Sequence, residues 1–306
     1  MKIESNPMAE FFERIGQRSI KSESCWWHEV QPRVLLSFPY YKLIEPDDKE
    51  IAELFSRYKL RAVRFPTPLE AFGFPSAVEL GTDPNYDLSY VQPRVRRYIR
   101  KSLKICKVEQ IDFDYLLKHG LPLNRDTASR QGRKTVYTDP AYWRKYCEAA
   151  KATPGIAVWA AMVGGQLGTY VVTAEFDGWW NWLLTHSSEA LSKYRTSHVL
   201  FYEASRQFFQ NNPDKKICYG LGSLEFVPEL DHFKLKMGIK RQRIKQRIVL
   251  SKATSFAFRL AWEPFLKALN KLFPQSYTIR KAVAMVRLYR QQSWDVPTSD
   301  DININD

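Results

Sequence analysis

Cysteine, long apolar runs and, over one long segment, acidic residues are scarce in this chain. Its four cysteines, Cys25, Cys106, Cys147 and Cys218, are far apart and form neither a CxxC pair nor a Cys/His cluster. That spacing excludes the usual zinc sites and leaves reduced, structural thiols as the expectation, with no metal. No run approaches the roughly eighteen apolar residues of a membrane span, and Met1 to Arg14 lacks the apolar core of a signal peptide. A cytoplasmic location is therefore expected. No repeat of solenoid period is present.

Acid is nearly absent from Phe233 to Arg290, where fifteen Lys/Arg face the single carboxylate Glu263. This segment carries essentially all of the net charge of +13. A second acid-free cluster joins Arg94, Arg96, Arg97, Arg100, Lys101, Lys104 and Lys107. Either patch fits a polyanion, a phosphorylated substrate or an anionic membrane, and either fits a solvated helix face. Against these absences stand 306 residues, 44% hydrophobic and 14% aromatic, enough for one large or two modest globular domains.

Local patterns supply an element order. Val34 to Pro39 reads as a short buried strand, Asp47 to Tyr58 as a helix, and the stretches around Ala62–Phe65 and Ala77–Leu80 as strands between turns. After Pro93 the residues Val95, Tyr98, Ile99 and Leu103 recur at helical spacing. Asp139-Pro140 is an N-cap and first-turn pair that opens a helix to about Ala152. Ile156–Val163, Gln166–Glu175 and Trp179–Thr185, separated by Gly164-Gly165 and Asp177-Gly178, predict a three-stranded meander. A helix over Thr196–Phe209, a strand over Lys216–Leu221, a short helix over Glu229–Met237 and a strand over Arg243–Leu250 complete the order α-β-β-β-α-β-α-β.

Two sets of residues carry a family resemblance. Arg130-Gln131-Gly132-Arg133, followed by the Tyr142-Trp143 helix, is one. The other runs from Ser192 to Ala204, through Tyr219-Gly220-Leu221-Gly222-Ser223-Leu224 and Pro228, to Phe233-Lys234 and Met237-Gly238. With Arg97 to Lys104 they resemble the FemAB-like branch of the GNAT superfamily over roughly Gln92 to Leu250. The resemblance implies an α+β GNAT fold, a mixed and mostly antiparallel sheet with flanking helices. It predicts a reduced first GNAT-like half (1–90), a basic helix and connector (91–138) and a catalytic-type domain (139–252). A basic amphipathic helical tail (253–292) and a disordered acidic end (293–306) follow.

It also implies chemistry. Acyl transfer needs a neutral nucleophile, a donor to the carbonyl oxygen and an acid for the leaving group. Glu225 is a candidate base, His186 sits where the acyl group lies, and Tyr219 is a candidate acid. Lys234 of the FK pair is the expected cation beside the transferring group, with Phe233 packed behind it. Lys193, Arg195, Thr196, Ser197 and His198 open the helix that receives the donor's pyrophosphate, and Thr196 or Ser197 alternatively caps it. Arg130 and Arg133 belong with the acceptor, a small-molecule, sugar-like or peptide-like compound.

The donor implied first is acetyl-CoA or another acyl-CoA. The loop before the helix lacks the superfamily's usual glycines, which favours the alternative of an aminoacyl group carried on tRNA. A third reading is a degenerate module that binds a membrane or a protein. The basic tail suits peripheral contact with the inner membrane surface, packing on its own domain, or contact with a second copy of the chain.

Overall fold

The computed structural model describes residues 6–222 and 228–260, with positions 268, 272, 283, 284 and 286–289 beyond them. Helix α1 (Pro7–Arg14) opens on Asn6, whose side-chain oxygen accepts from the amides of Met8 and Ala9. Strands β1 (Ser19–Lys21), β2 (Trp26–Gln31) and β3 (Val34–Phe38) follow. Helix α2 (Asp48–Tyr58) is capped by Asp47, and β4 (Ala62–Thr67) and β5 (Phe74–Gly81) come next. Proline starts both α3 (Pro93–Ser102) and α5 (Pro140–Lys151), where a missing N–H costs nothing. Between them lie β6 (Cys106–Ile111) and the long α4 (Phe113–Arg130).

The meander is β7 (Ile156–Val163), β8 (Gln166–Phe176) and β9 (Trp179–Ser187). Then come α6 (Thr196–Asn211), β10 (Lys216–Leu221), α7 (Pro228–Lys236), β11 (Lys240–Leu250) and α8 (Lys252–Leu260). The order expected from Asp139 onward is thus present, with β11 starting three residues earlier than the apolar pattern suggested. The rest of the proposed tail helices and the acidic end fall almost wholly outside the described residues. Among the described residues no helix is long and apolar enough to cross a membrane.

The chain forms two compact units. One comprises Met1–Ile20, Val78–Leu221 and Phe226–Gln242; the other comprises Lys21–Ala77, Gly222–Glu225 and Arg243–Asp306. In the second unit β2 and β3 pair antiparallel, β3 and β4 parallel, and β4 and β11 antiparallel. Trp27 and Phe65, both fully buried, meet edge to face with centroids 5.9 Å apart.

In the first unit the strands run β10-β9-β8-β7-β6, and Val78–Gly81 of β5 lies antiparallel to the outer side of β10. Alternation along β8 divides two cores. Val171 joins Trp159, Trp180, Leu200 and Phe208 on the face covered by α6. Tyr170 points to the other face, against Trp143 of α5, and its O–H donates to Asn124 of α4.

Candidate active site

Strands β9 and β10 are parallel but stay paired for only three positions, Trp179 with Lys216, Trp180 with Ile217 and Asn181 with Cys218. Beyond that point β9 follows β8 to Ser187 while β10 follows β5. Each strand bulges where they part. On β9, Trp182 faces Thr173 and Leu184 faces Val172, so Leu183 is the additional residue. On β10 the register shifts between Cys218 and Gly220, and Gly220 has φ 115°, a conformation that favours glycine. Diverging edges of this kind leave backbone N–H and C=O groups turned into the gap.

The β9 bulge also decides which side chains can meet. Without it Trp180, Trp182, Leu184 and His186 would share one face, because the side-chain period of a strand is two. With it, Trp180 and Trp182 pack towards α6, while His186 pairs with Tyr170 on the face of α4 and α5.

On the α6 face the gap is lined by rings. Trp182 and Tyr219 lie 5.2 Å apart, Tyr219 stacks on Phe201 at 4.6 Å, and Phe233 meets Phe201 at 5.6 Å. The Tyr219 hydroxyl donates to Ser205 at 3.0 Å, and burial pushes its pKa well above the usual phenol range.

The same face holds the expected phosphate-binding end. Arg195 precedes α6 in the left-handed region, φ 54°, and no side chain caps the helix. Thr196, buried, spends its hydroxyl on Thr169 at 2.7 Å, and Ser197 reaches the same hydroxyl at 3.3 Å. The His198 amide already donates to the Arg195 carbonyl at 3.0 Å, so the amides that no side chain caps and no helical carbonyl receives are those of Thr196 and Ser197. A glycine is supplied, but from β8: a Cβ on Gly168 would lie 2.6 Å from the Thr196 methyl.

Two exposed cations, Lys193 and Arg195, flank these amides. The Arg195 guanidinium lies over the Tyr98 ring at 5.4 Å, and Arg94 Nε donates to the Tyr98 hydroxyl at 3.1 Å. One of the two basic clusters thus shares a face with the helix end, so Arg94 and Tyr98 join the site. His198 packs on Phe233 at 4.8 Å, and burial, then Arg195 and Lys236, bring it down to about 4.

On the opposite face Arg130, at the end of α4, ties to the end of β9. It donates to Glu189 at 2.9 Å, to the Ser187 hydroxyl at 2.6 Å and to the Ser187 carbonyl at 3.2 Å. His186 is 1% exposed, near Tyr137 at 6.0 Å and Tyr170 at 5.8 Å. Burial, then the charges of Arg133 and Arg130, bring it down to about 3. Neither of its ring nitrogens, nor Arg133 Nε, has a hydrogen-bond partner.

No family model and no curated protein matches the chain. Solved structures do. FemX superposes with a TM-score of 0.57 at 11% identity, over 84% of this chain and 93% of that one. The DUF2156 C-terminal domain of a protein assigned as a lysylphosphatidylglycerol synthetase in Agrobacterium fabrum gives 0.54 at 10%, over 84% and 91%. L-PGS from Bacillus licheniformis gives 0.52 at 11%, over 92% and 91%.

The chain shares the fold of these proteins, a large and mostly antiparallel sheet with flanking helices. Within it the FK pair is divided. Phe233 joins the rings of the gap, whereas Lys234 forms an ion pair with Glu79 of β5, the two side chains being 16% and 3% exposed. Glu225 lies outside the described residues. Among those that are described, no group of three His, Cys, Asp or Glu residues is placed to hold a metal ion. Glu79, Thr169 and Tyr137 were not legible as site neighbours, because each meets its partner only through the sheet or across the α4–α5 connection.

Proposed function

We propose that this chain is a transferase of acyl type whose donor presents phosphate to the start of α6. The observation that carries the reading is the parting of β9 and β10 at paired bulges, beside a helix end whose uncapped amides are flanked by Lys193 and Arg195. Helix N-termini attract anions through those amides and the helix dipole. The acceptor's nucleophile attacks the donor carbonyl in the gap, and the leaving oxygen or sulfur departs towards the α6 face. The donors assigned to the negative charge that develops on the carbonyl oxygen are backbone N–H groups of β9 beyond Asn181, where it leaves β10. The Ser205 hydroxyl passes its proton to the leaving atom and takes that of Tyr219 in turn, while the proton released by the attacking nucleophile goes to solvent, from which Tyr219 is reprotonated. Arg130 and Arg133 hold the acceptor on the far face, and His186 faces it.

Two donors satisfy this arrangement, an acyl-CoA and an aminoacyl-tRNA. The second is supported by Arg94, Tyr98 and Arg195 standing together as a cationic and aromatic surface suited to an RNA backbone. Calorimetric titration with acetyl-CoA and, separately, with a charged tRNA at two salt concentrations tests the reading. Binding of either one that Arg195→Ala weakens supports it, whereas binding of neither at both salts removes it in favour of a non-catalytic module.

A further inference from the structure

Among the described residues, four buried polar atoms on the α4–α5 side of the first unit have no hydrogen-bond partner: both ring nitrogens of His186, Arg133 Nε and Trp143 Nε1. His186 packs against Tyr137 and Tyr170, Trp143 meets Tyr170 at 5.9 Å, and the Arg133 charge acts on His186. Native structures rarely leave such atoms unsatisfied, and several together are a signal that a ligand completes the site. Arg133 Nε, the indole N–H and the imidazole N–H are donors; the sole unmatched acceptor is the second imidazole nitrogen.

Arg133 and Arg130 both act on His186. Arg130 is already paired with the Glu189 carboxylate, and Asp126 accepts from the Glu189 amide, so among the described residues Arg133 is the cation here that brings an unmatched donor, its Nε. From α5 and β8 the nearby groups are Tyr146 and Tyr170, both kept neutral by burial. Tyr137 faces the ring from the connection between the helices. A compact oxyanion is what N–H donors beside a guanidinium recognise.

We infer that His186 and Arg133 form the subsite for an oxyanion, a carboxylate or phosphate, carried by the acceptor, and that its binding is coupled to proton uptake by His186. The proton comes from solvent, and the ring then has two N–H donors, one of which joins Arg133 Nε on the anion. Unliganded, His186 is neutral at ordinary pH, because burial and the two arginines hold it at about 3. An anion beside Arg133 offsets those charges and returns it towards its ordinary 6.5. Residues 131–137 lie beside this cluster, fastened by Arg133 N–H to the Ala128 carbonyl and by the Asn124 amide to the Tyr137 carbonyl. The inference rests on the transferase reading only in calling the ligand the acceptor.

The test is NMR of the full chain labelled with 15N-histidine, the His186 resonances being assigned with His186→Gln. Without anion His186 stays neutral down to about pH 5; at about pH 6, millimolar acetate or inorganic phosphate shifts it to the protonated form. Arg133→Gln raises the anion concentration needed by roughly tenfold or more. A response to acetate alone assigns a carboxylate, and a response to phosphate alone assigns a phosphate. No response to either, or an unchanged response in Arg133→Gln, overturns the subsite. Donor binding through Arg195 is measured independently, so a silent His186 beside a bound donor sinks this inference and leaves the transferase reading standing. A responsive His186 with no donor bound does the reverse.

Discussion

Truncating Lys234 tests catalysis and folding at once, and the structure says how to separate them. Its ammonium is paired with Glu79, whose side chain is 3% exposed on β5 beside buried Cys218. Lys234→Ala removes the ammonium paired with that buried carboxylate, at a cost of about 3–5 kcal/mol. With the ~2–4 °C per kcal/mol usual for units of this size, the thermal midpoint should fall by roughly 6–20 °C. Loss of transfer in that variant would therefore say little about chemistry. Replacing both partners, Glu79→Leu with Lys234→Met, removes both charges together and should return stability to within about 1 kcal/mol of the parent or above it. Differential scanning calorimetry of the three proteins checks the stability argument. Activity of the double variant then isolates the role of Lys234: full transfer means that the lysine only neutralises Glu79, whereas a stable, inactive protein means that it also steadies the transferring group. A single variant that melts with the parent would refute the reasoning, because the pair would then be solvated.

Gly168→Ala should cost about 1–3 kcal/mol by driving a Cβ into Thr196, and Gly168→Ala with Thr196→Ser, which removes the methyl 2.6 Å away, should recover part of it in a urea titration. In the second unit, Gln246→Leu strips Arg64 Nε of its acceptor at 2.6 Å and should cost about 1–3 kcal/mol by the same measurement. Acid should destabilise the protein well before its carboxylates titrate. His28 and His186 sit at about 3 and His198 at about 4, against 6.5 unfolded. The unfolded chain therefore binds more protons between those limits, so this stability is complete above about 6.5 and is lost as pH falls. Each histidine contributes up to about 2 kcal/mol of that loss between about pH 7 and pH 5, and stability flat across the window would contradict their burial.

How far the sequence could be read follows from where each signal resides. The Asp139-Pro140 start, the Gly164-Gly165 and Asp177-Gly178 turns and the alternation of β11 are local, and each element they predict is present. Helix α4 escaped because Gly120 and Pro122 interrupt its pattern, yet Gly120 lies against Trp143, where a Cβ would meet the indole at 2.9 Å. What reads as a breaker is a packing contact with a residue twenty-three positions away, and no local rule reports that. The candidate site was legible only as a set of residues. Lys193 to His198 do gather at one helix end, but Thr196 serves β8 rather than a cap, and Lys234 serves Glu79. The division of the remaining residues between two faces turns on a single additional residue, Leu183. Nothing in Trp179–Ser187 marks it, because Leu183 and its neighbour Leu184 are the same residue type and no glycine or proline interrupts the strand. Had β9 continued unbulged, His186 would stand among the rings of the α6 face, away from Tyr170. The bulge is therefore the structural step that converts a strand of the core into a strand of the site, and a substitution there, such as Leu183→Pro, should abolish transfer more completely than removal of any one side chain named above.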